Sequence, residues 1–244
     1  MTAVRRAADQ VDRQVDRQVD RPRYDAAVAD LLGAMACAEL LAFERLAHDA
    51  TLAPTLDDKA ALAGMAVAEF HHYTVVRARL AALGADPTAA MEPFVDSLTE
   101  FHRRTAASDW LEGLVKAYVG DSMAADFYRE IASHLDEGTR ALVLDVLADT
   151  GHSGFVVPRV RAAVAADPRV AGRLALWGRR LVGEIMTEAQ RLAGEREALA
   201  SLIIGGTGPD GQARAGIDIA EIGRMLGRLT EAHSVRMSAL GFDA

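Results

Sequence analysis

The sequence predicts an all-α protein built on a four-helix bundle. Alanine, leucine and arginine dominate its 244 residues, aromatic residues make up 5%, and alternating runs rich in valine or isoleucine are missing. Hydrophobic residues make up 50% of the chain, which is enough for one large domain with a sizeable core. The third observation is a repeated pattern of acidic and histidine residues on helical segments, which suits the interior of a bundle.

This pattern consists of two acid-x-x-His motifs, each preceded by a lone acid about one helix earlier. Its six residues are Glu39, Glu69, His72, Asp121, Asp149 and His152. Residues three apart share a face of a helix, so each motif projects a carboxylate and an imidazole to the same side. Four helices that carry acid, acid-x-x-His, acid and acid-x-x-His can hold two metal ions in the core of a bundle.

The residues around the lone acids place both acids on core-facing sides of their helices. Met35 and Phe43, four residues before and after Glu39, are both apolar. Asp121 likewise has mainly apolar residues at its helical neighbour positions. A buried carboxylate is costly unless it is paired or bound to a metal. The alternative to a metal site is therefore a set of buried ion pairs with arginines, in which the histidines are ordinary core residues.

Two residues beside the motifs need separate treatment. His71 is rotated about 100° from His72, so His72 is the expected ligand. Glu44 lies about 140° from Glu39 around the helix, and a salt bridge with an arginine is expected for it rather than metal binding. Carboxylates with one imidazole per ion suit iron, with manganese as the alternative, and two such ions can activate dioxygen.

Breaks in the sequence divide the chain into an arm, a bundle and added helices. Residues 1–22 carry a Val-Asp-Arg-Gln repeat and predict a frayed helical or disordered arm that ends at Pro22. The remaining domain spans 23–244. The expected bundle helices cover about 25–53, 56–83, 108–134 and 137–158, within a core bundle of about 25–166, and the added C-terminal helices cover about 169–201 and 217–240, within 169–241.

Particular residues mark the ends of these helices. Gly84 is expected to stop the second helix, Ser108 to cap the third, and Pro158 to kink or end the fourth. The connection between the second and third helices is expected to contain a short helix of its own. A glycine-rich linker, 205–211, separates the two C-terminal helices.

Charge and cysteine content exclude several classes of protein. The formal net charge of -8 argues against a strongly basic surface for nucleic acids. Cys37 is the only cysteine, so neither an intramolecular disulfide nor a cysteine-based zinc site can form. The sequence shows no secretion signal and no uninterrupted apolar run of membrane-spanning length. These features indicate a cytoplasmic protein without a membrane partner.

A local basic stretch follows the fourth helix. It consists of Arg159, Arg161, Arg169, Arg173, Arg179 and Arg180. A solvated face with salt bridges is the expected interpretation, and a surface that contacts phosphates is the alternative.

Four segments of the chain resemble the ferritin-like di-iron carboxylate superfamily, and within it the MiaE-like tRNA hydroxylases. These segments are residues 38–46, 68–73, 110–121 and 147–152. The resemblance covers about 25–241 and implies a ferritin-like four-helix bundle with additional C-terminal helices that binds two iron ions through the six residues of the pattern. It also implies oxygen-dependent hydroxylation of an isopentenyl-modified adenosine in tRNA. Asp121 and Asp149 depart from the glutamates usual in the superfamily.

The expected function is therefore that of a di-iron hydroxylase or monooxygenase, with no catalytic residue beyond the metal site. An external electron donor is required, because the sequence has no flavin or nicotinamide fingerprint. Three alternatives remain open. A ferroxidase or iron-handling protein would lack a ligand-sized pocket beside the metals, a metal-free scaffold would form a homodimer through the C-terminal helices, and a non-catalytic module would bind tRNA through the arginines.

Overall fold

A computed structural model of the chain describes the backbone of residues 2–148, 152–205, 208–210 and 219–242, and the side chains of 21–148, 153–205, 208–210 and 220–242. Within these residues the protein is helical and has no strand, as the sequence predicts. Its elements are α1 (Thr2–Asp49), a 3₁₀ turn (Ala50–Leu52), α2 (Leu56–Ala82), α3 (Pro87–Arg104), α4 (Trp110–Val115), a π-helical segment (Lys116–Gly120), α5 (Asp121–Ala132), α6 (Glu137–Val146), α7 (His152–Ala166), α8 (Arg169–Glu195), α9 (Glu197–Ile204) and α10 (Ile219–Ala239).

Helices α1 and α2 pack against each other in antiparallel orientation. Met35 in the C-terminal half of α1 shares a hydrophobic core with Val76 near the end of α2. Leu46 near the end of α1 shares a second core with Leu62 near the start of α2. The order of contacts is thus reversed between the two helices. The segments α4 to α5 and α6 to α7 occupy the places in the chain expected for the third and fourth helices of the bundle.

The two cores meet near the middle of α1 and α2. The first contains Leu31 and Phe94, and the second contains Leu114 and Leu181, all fully buried. Between the cores, residues 38–43 of α1 are only partly buried. Several of them line a cavity of about 480 Å³. Burial of apolar surface stabilises each core, while the region where they meet is left open for a site.

Side-chain and glycine signals fix the boundaries of the bundle helices. Thr55 caps α2, and Gly84, with φ +79°, ends it as the sequence predicts. The cap expected at Ser108 is wrong: Asp109 caps α4 by accepting from the backbone N–H of Glu112 at 2.9 Å. Ser108 instead donates its own N–H to the Glu112 carboxylate at 2.9 Å, so the Glu112 side chain satisfies a backbone N–H just before the helix.

Two prolines that are expected to end or kink helices lie inside continuous helices instead. The first helix was expected from about residue 25, but α1 begins at Thr2 and continues through Pro22. Helix α7 likewise continues past Pro158 to Ala166. Both proline side chains are exposed, where the carbonyl group left without its helical N–H partner can be hydrated.

Three of the expected helices differ from the structure. The fourth, expected over about 137–158, is divided, because α6 ends at Val146 and α7 begins at His152. The connection after α2 contains the 18-residue helix α3 rather than a short one. The helix expected over 169–201 is divided into α8 and α9, because Arg196 leaves the helical conformation with φ -121° and ψ 83°. Within the linker 205–211, residues 206, 207 and 211 lie outside the described residues.

One stretch of α1 and the following turn, Arg21–Leu52, is long and apolar enough to cross a membrane by length and composition alone. Half of its most apolar window is buried inside the protein, where Leu31 and Leu46 belong to the two cores. The central helix of a bundle passes the same test, because it is apolar on most sides.

A close helix crossing gives a first stability prediction. A Cβ added at Gly33 would lie 2.2 Å from the carbonyl oxygen of Ala90 on α3. We expect Gly33→Ala to lower the free energy of unfolding by about 1–3 kcal/mol, despite a gain of about 1 kcal/mol in helix propensity. Gly64→Ala on α2 is the matched control, since a Cβ there meets nothing within 4 Å. Urea unfolding of both variants measures the difference, and a Gly33→Ala protein as stable as Gly64→Ala would contradict the crossing.

Candidate metal centre

Three side chains from α1 and α2 converge beside the cavity. His72 Nδ1 lies 3.2 Å from Glu69 Oε2 and 3.5 Å from Glu39 Oε2. One ligand atom from each of the three residues lies within 4.8 Å of the others. Bonds between transition metals and such ligands are about 2.0–2.2 Å long, so atoms this close can surround a single ion.

The local sequence explains this convergence. Glu69 and His72 are three residues apart and therefore lie on one face of α2, as the motif predicts. Glu69 is buried, whereas its neighbour His71 is exposed, which agrees with the choice of His72 over His71. Glu44 is also exposed and does not belong to the group. No ion pair of Glu44 is found among the described side chains.

The same three side chains hold protons that a cation can replace. Burial, together with the nearby Glu69 carboxylate, raises the pKa of Glu39 to about 8 against the opposing effect of His72. Hydrogen bonds to Glu39 and Glu69 raise the pKa of His72 to about 10. At neutral pH the imidazolium therefore lies between two carboxyl groups, one of which keeps its proton. Two carboxylates with one imidazole form a donor set that fits iron or manganese.

Asp121 was expected to be a ligand, but in this structure it belongs to an ion pair. It lines the same cavity, and its two carboxylate oxygens accept hydrogen bonds from Arg45 Nη2 at 3.0 and 2.9 Å. Arg45 comes from α1, has a side chain 8% exposed, and also lies 3.6 Å from Asp49. For this acid the structure agrees with the alternative of a buried pair with an arginine.

The π-helical segment Lys116–Gly120 ends immediately before Asp121. A π-helix contains more residues per turn than an α-helix. The direction of Asp121 therefore does not follow from counting 100° per residue from Tyr118 or Ala117. This local change of helix type, together with the buried Arg45, explains the pairing of Asp121 with Arg45 in this structure, and the ligand role of Asp121 stays a prediction.

The second acid-x-x-His motif lies at the edge of the described structure. Asp149 is outside the described residues, and His152 is described only as the first residue of α7. The residues on either side of the motif, Ala148 and Ser153, line the same cavity as Glu39 and His72. The ligand roles of Asp149 and His152 therefore stay predictions.

The cavity is mainly apolar and has the size of small-molecule pockets, which range from about 300 to 1,000 Å³. Helix α1 contributes Ala34, Ala38 and Ala42, which follow one another at intervals of four residues. Tyr128 of α5 also lines it. Burial and then the nearby Glu39 carboxylate raise the pKa of the Tyr128 phenol, which places this ring close to the metal ligands.

Two residues on the cavity wall were not singled out as functional by the sequence. Lys116 is 3% exposed and donates from Nζ to the carbonyl oxygen of Thr105 at 2.7 Å. His102 has a buried Nδ1 without a hydrogen-bond partner among the described residues. The sequence does distinguish Lys116 in one respect, which is the rarity of lysine. Lys59 and Lys116 are the only lysines among the 27 lysine and arginine residues.

Most arginines of the basic stretch, which lies in α7 and α8, are engaged in local contacts. Three of its arginines form ion pairs, namely Arg159 with Asp58, Arg169 with Asp167, and Arg173 with both Asp109 and Glu112. Two more, Arg161 and Arg180, donate to backbone carbonyls. These contacts favour the salt-bridged face over a surface of unpaired arginines.

The protons in the centre predict a pH-dependent affinity for metal. A cation must displace the proton on Glu39, whose pKa is about 8, and the proton on His72, whose pKa is about 10. We expect the affinity for Mn²⁺ to rise from pH 6 to pH 8 by about tenfold per pH unit for each displaced proton. Calorimetry in two buffers of different ionisation enthalpy measures the protons released. Release of no protons at pH 7 would contradict the arrangement.

Comparison with known proteins agrees with this architecture. A family model described as a ferritin-like domain of actinomycetes matches residues 22–206, from Pro22 in α1 to just beyond α9. A search of curated proteins found no match. The match covers more than half of the chain, and it includes the helices that carry Glu39, Glu69 and His72. The chain belongs to the family of actinomycete ferritin-like domains.

Proposed function

We propose that the protein is a di-iron, oxygen-dependent hydroxylase or monooxygenase that acts on an organic molecule held in the cavity. The observation that carries this proposal is the group formed by Glu39, Glu69 and His72 at the wall of an apolar cavity of about 480 Å³. The ferritin-like family supports a di-iron protein in general. The oxidation of an organic substrate goes beyond the family and rests on the cavity.

Each of the expected ligands has a stated part in this proposal. Glu39, Glu69 and His72 hold the first ion, and the two carboxylates neutralise its charge. Asp121, once separated from Arg45, joins Asp149 and His152 to hold the second. A pair of such ions supplies the activation of dioxygen, with iron preferred and manganese as the alternative. The apolar side chains of the cavity exclude water and hold a C–H bond close to the centre.

The cavity also separates this proposal from a ferroxidase. A protein that oxidises only iron needs a path for ions and oxygen, but no apolar space for an organic molecule. The space beside Glu39 has the size of a small-molecule pocket and is lined by small residues such as Ala38 and Ala42. A ferroxidase or iron-handling role, or a metal-free scaffold, therefore leaves this feature without a use.

The finer form of the proposal takes its substrate from the MiaE-like resemblance. A prenylated adenosine in tRNA, in the cytoplasm, is the first substrate to test, with an external electron donor. Its prenyl group is apolar and suits the cavity. The paired arginines and the net charge of -8 give tRNA binding no electrostatic support of their own.

A single-turnover experiment tests the proposed function. The protein is loaded anaerobically with Fe²⁺ and reduced, then mixed with oxygen and isopentenyladenosine-containing tRNA or the free nucleoside, and hydroxylated product is measured by mass spectrometry. We expect product with the wild type, none with Glu69→Ala, and none with Ala38→Phe, which fills the cavity and keeps the ligands. Iron oxidation at the same rate in wild type and Ala38→Phe, without any product, would instead establish a ferroxidase.

A further inference from the structure

Lys116 is a buried amine on the cavity wall without an acidic partner. Its Nζ donates to the neutral carbonyl oxygen of Thr105 at 2.7 Å and lies 5.7 Å from the centre of the Phe101 ring. Among the side chains that the structure describes, no carboxylate lies within ion-pair distance of it. Burial of a cation without an anionic partner is unfavourable by several kcal/mol, so such a residue calls for a ligand or a function.

Asp121 and Asp49, the two acids whose charges act on Lys116, both pair with Arg45 in this structure. Arg45 bonds to Asp121 and lies 3.6 Å from Asp49. Burial and the charge of Arg45 lower the pKa of Lys116 to about 7, and Asp121 and Asp49 oppose this only in part. The local charges therefore favour the approach of a further negative group to the lysine.

A second hydrogen-bonding group belongs to the same wall. His102 lines the cavity beside Phe101, and its buried Nδ1 has no hydrogen-bond partner among the described atoms. Burial lowers the pKa of His102, so the ring is neutral and one of its nitrogens carries a proton. Lys116 Nζ and the centre of the His102 ring lie 5.7 and 5.2 Å from the centre of the same Phe101 ring. The ammonium and, in the Nδ1–H tautomer, the imidazole can therefore donate to one polar group of a ligand, and the complementary group is an anionic oxygen acceptor.

The rest of the cavity suits a hydrocarbon chain. Ala34, Ala38 and Ala42 form one side, and Leu98 and Phe101 of α3 also line it. A ligand that fits both parts has an acidic oxygen head and an apolar tail.

We propose that Lys116 and His102 form the head-group subsite of a cavity that binds an amphipathic carboxylate, with its hydrocarbon chain along the alanine side of α1. This inference rests on the proposed function, because it names the class of substrate for the same cavity. It differs from the prenylated adenosine, which has no carboxylate.

Titration of the metal-free protein tests the subsite without any catalysis. Dodecanoate and dodecanol, each below its aggregation concentration, are titrated into the wild type by calorimetry. We expect dodecanoate to bind about tenfold more tightly than dodecanol, since a charge-assisted hydrogen bond is stronger than a neutral one. Lys116→Met is expected to weaken dodecanoate binding by about 10–100-fold and to change dodecanol binding by less than about threefold.

The chain provides a matched control for this variant. Lys59→Met removes the other lysine, which is exposed on α2, and is expected to leave both affinities unchanged. Ala38→Phe is expected to weaken both ligands, because it fills the cavity. Equal affinity for the two ligands in the wild type, or an equal effect of Lys59→Met and Lys116→Met, would overturn the subsite. Tight binding of isopentenyladenosine with no binding of dodecanoate would overturn it as well.

If Lys116→Met does not fold, the subsite can be tested on the wild-type sequence instead. Reductive methylation of the wild type is mapped by mass spectrometry with and without dodecanoate. We expect dodecanoate to protect Lys116 and not Lys59, and equal labelling of Lys116 in both samples would overturn the subsite.

The metal-free variant Glu69→Ala separates the two proposals. If it binds dodecanoate while the loaded wild type hydroxylates nothing, the proposed function fails and the subsite stands.

Discussion

Glu69→Ala and His72→Ala proteins, purified without chelator, are expected to lose nearly all of the iron or manganese that the wild type retains. Each variant removes one of three ligand atoms that lie within 4.8 Å of one another. Even residues that only support metal ligands change affinity by about 10–100-fold, so loss of a direct ligand is expected to weaken binding by more than about 100-fold. Metal content per chain, measured by plasma mass spectrometry, gives the result.

Neighbouring residues supply matched controls for this measurement. His71→Ala removes an exposed imidazole next to His72, and Glu44→Ala removes an exposed acid on the same helix as Glu39. Both are expected to keep the wild-type metal content. His152→Ala is expected to lose the metal as Glu69→Ala does, if the second ion belongs to the same two-ion centre as proposed. Wild-type metal content in Glu69→Ala would overturn the centre.

Replacement of Lys116 is expected to change how the free energy of unfolding depends on pH, and this is the second large effect. Burial and Arg45 lower the pKa of Lys116 from 10.5 in the unfolded chain to about 7 in the folded protein. Between these values the unfolded state binds one more proton, so the free energy of unfolding rises with pH by up to about 1.4 kcal/mol per unit. Below pH 7 both states are protonated, and this contribution no longer changes.

Comparison with Lys116→Met isolates this contribution, because all other titrating groups are shared. We expect the stability of the wild type relative to Lys116→Met to rise by about 2 kcal/mol from pH 7 to pH 9, or about 4–8 °C in melting temperature. Loss of the hydrogen bond to Thr105 adds a difference that does not depend on pH in this range. Lys59→Met, which removes an exposed amine, serves as the control. A difference between wild type and Lys116→Met that stays constant from pH 7 to pH 9 would contradict the lowered pKa.

The half of the centre that the sequence predicts well depends only on local helix geometry. Glu69 and His72 lie three residues apart in an uninterrupted α-helix, so their common face follows from the helix period. Met35 and Phe43 correctly indicate that Glu39 faces inward, because α1 is regular in this region. The antiparallel pairing of α1 and α2 follows from the short connection between them.

The pairing of Asp121 with Arg45 could not be predicted from the sequence for two physical reasons, and the ligand role of Asp121 stays a prediction. The π-helical segment before it changes the relation between sequence position and direction. Arg45 also points inward from α1, although a long charged residue is most often expected at the surface. A partner on a distant helix cannot be recognised from the residues around Asp121 alone.

The roles of Lys116 and His102 depend on tertiary structure in the same way. Neither residue belongs to a motif, and both become notable only because several helices enclose the cavity that they line. The two prolines show the converse case. Their sequence signal is strong, but exposure of Pro22 and Pro158 allows the helices to continue.

The position of the centre between two hydrophobic cores has a mechanical consequence. Helices α1 and α2 each pass from one core to the other, and Glu39, Glu69 and His72 lie where packing of apolar side chains is interrupted. A divalent cation held by these three side chains would cross-link the C-terminal part of α1 to the middle of α2. Without a cation, the two helices are joined at this point by the contacts of His72 with Glu39 and Glu69. Occupancy of the centre would therefore stiffen the packing of α1 against α2.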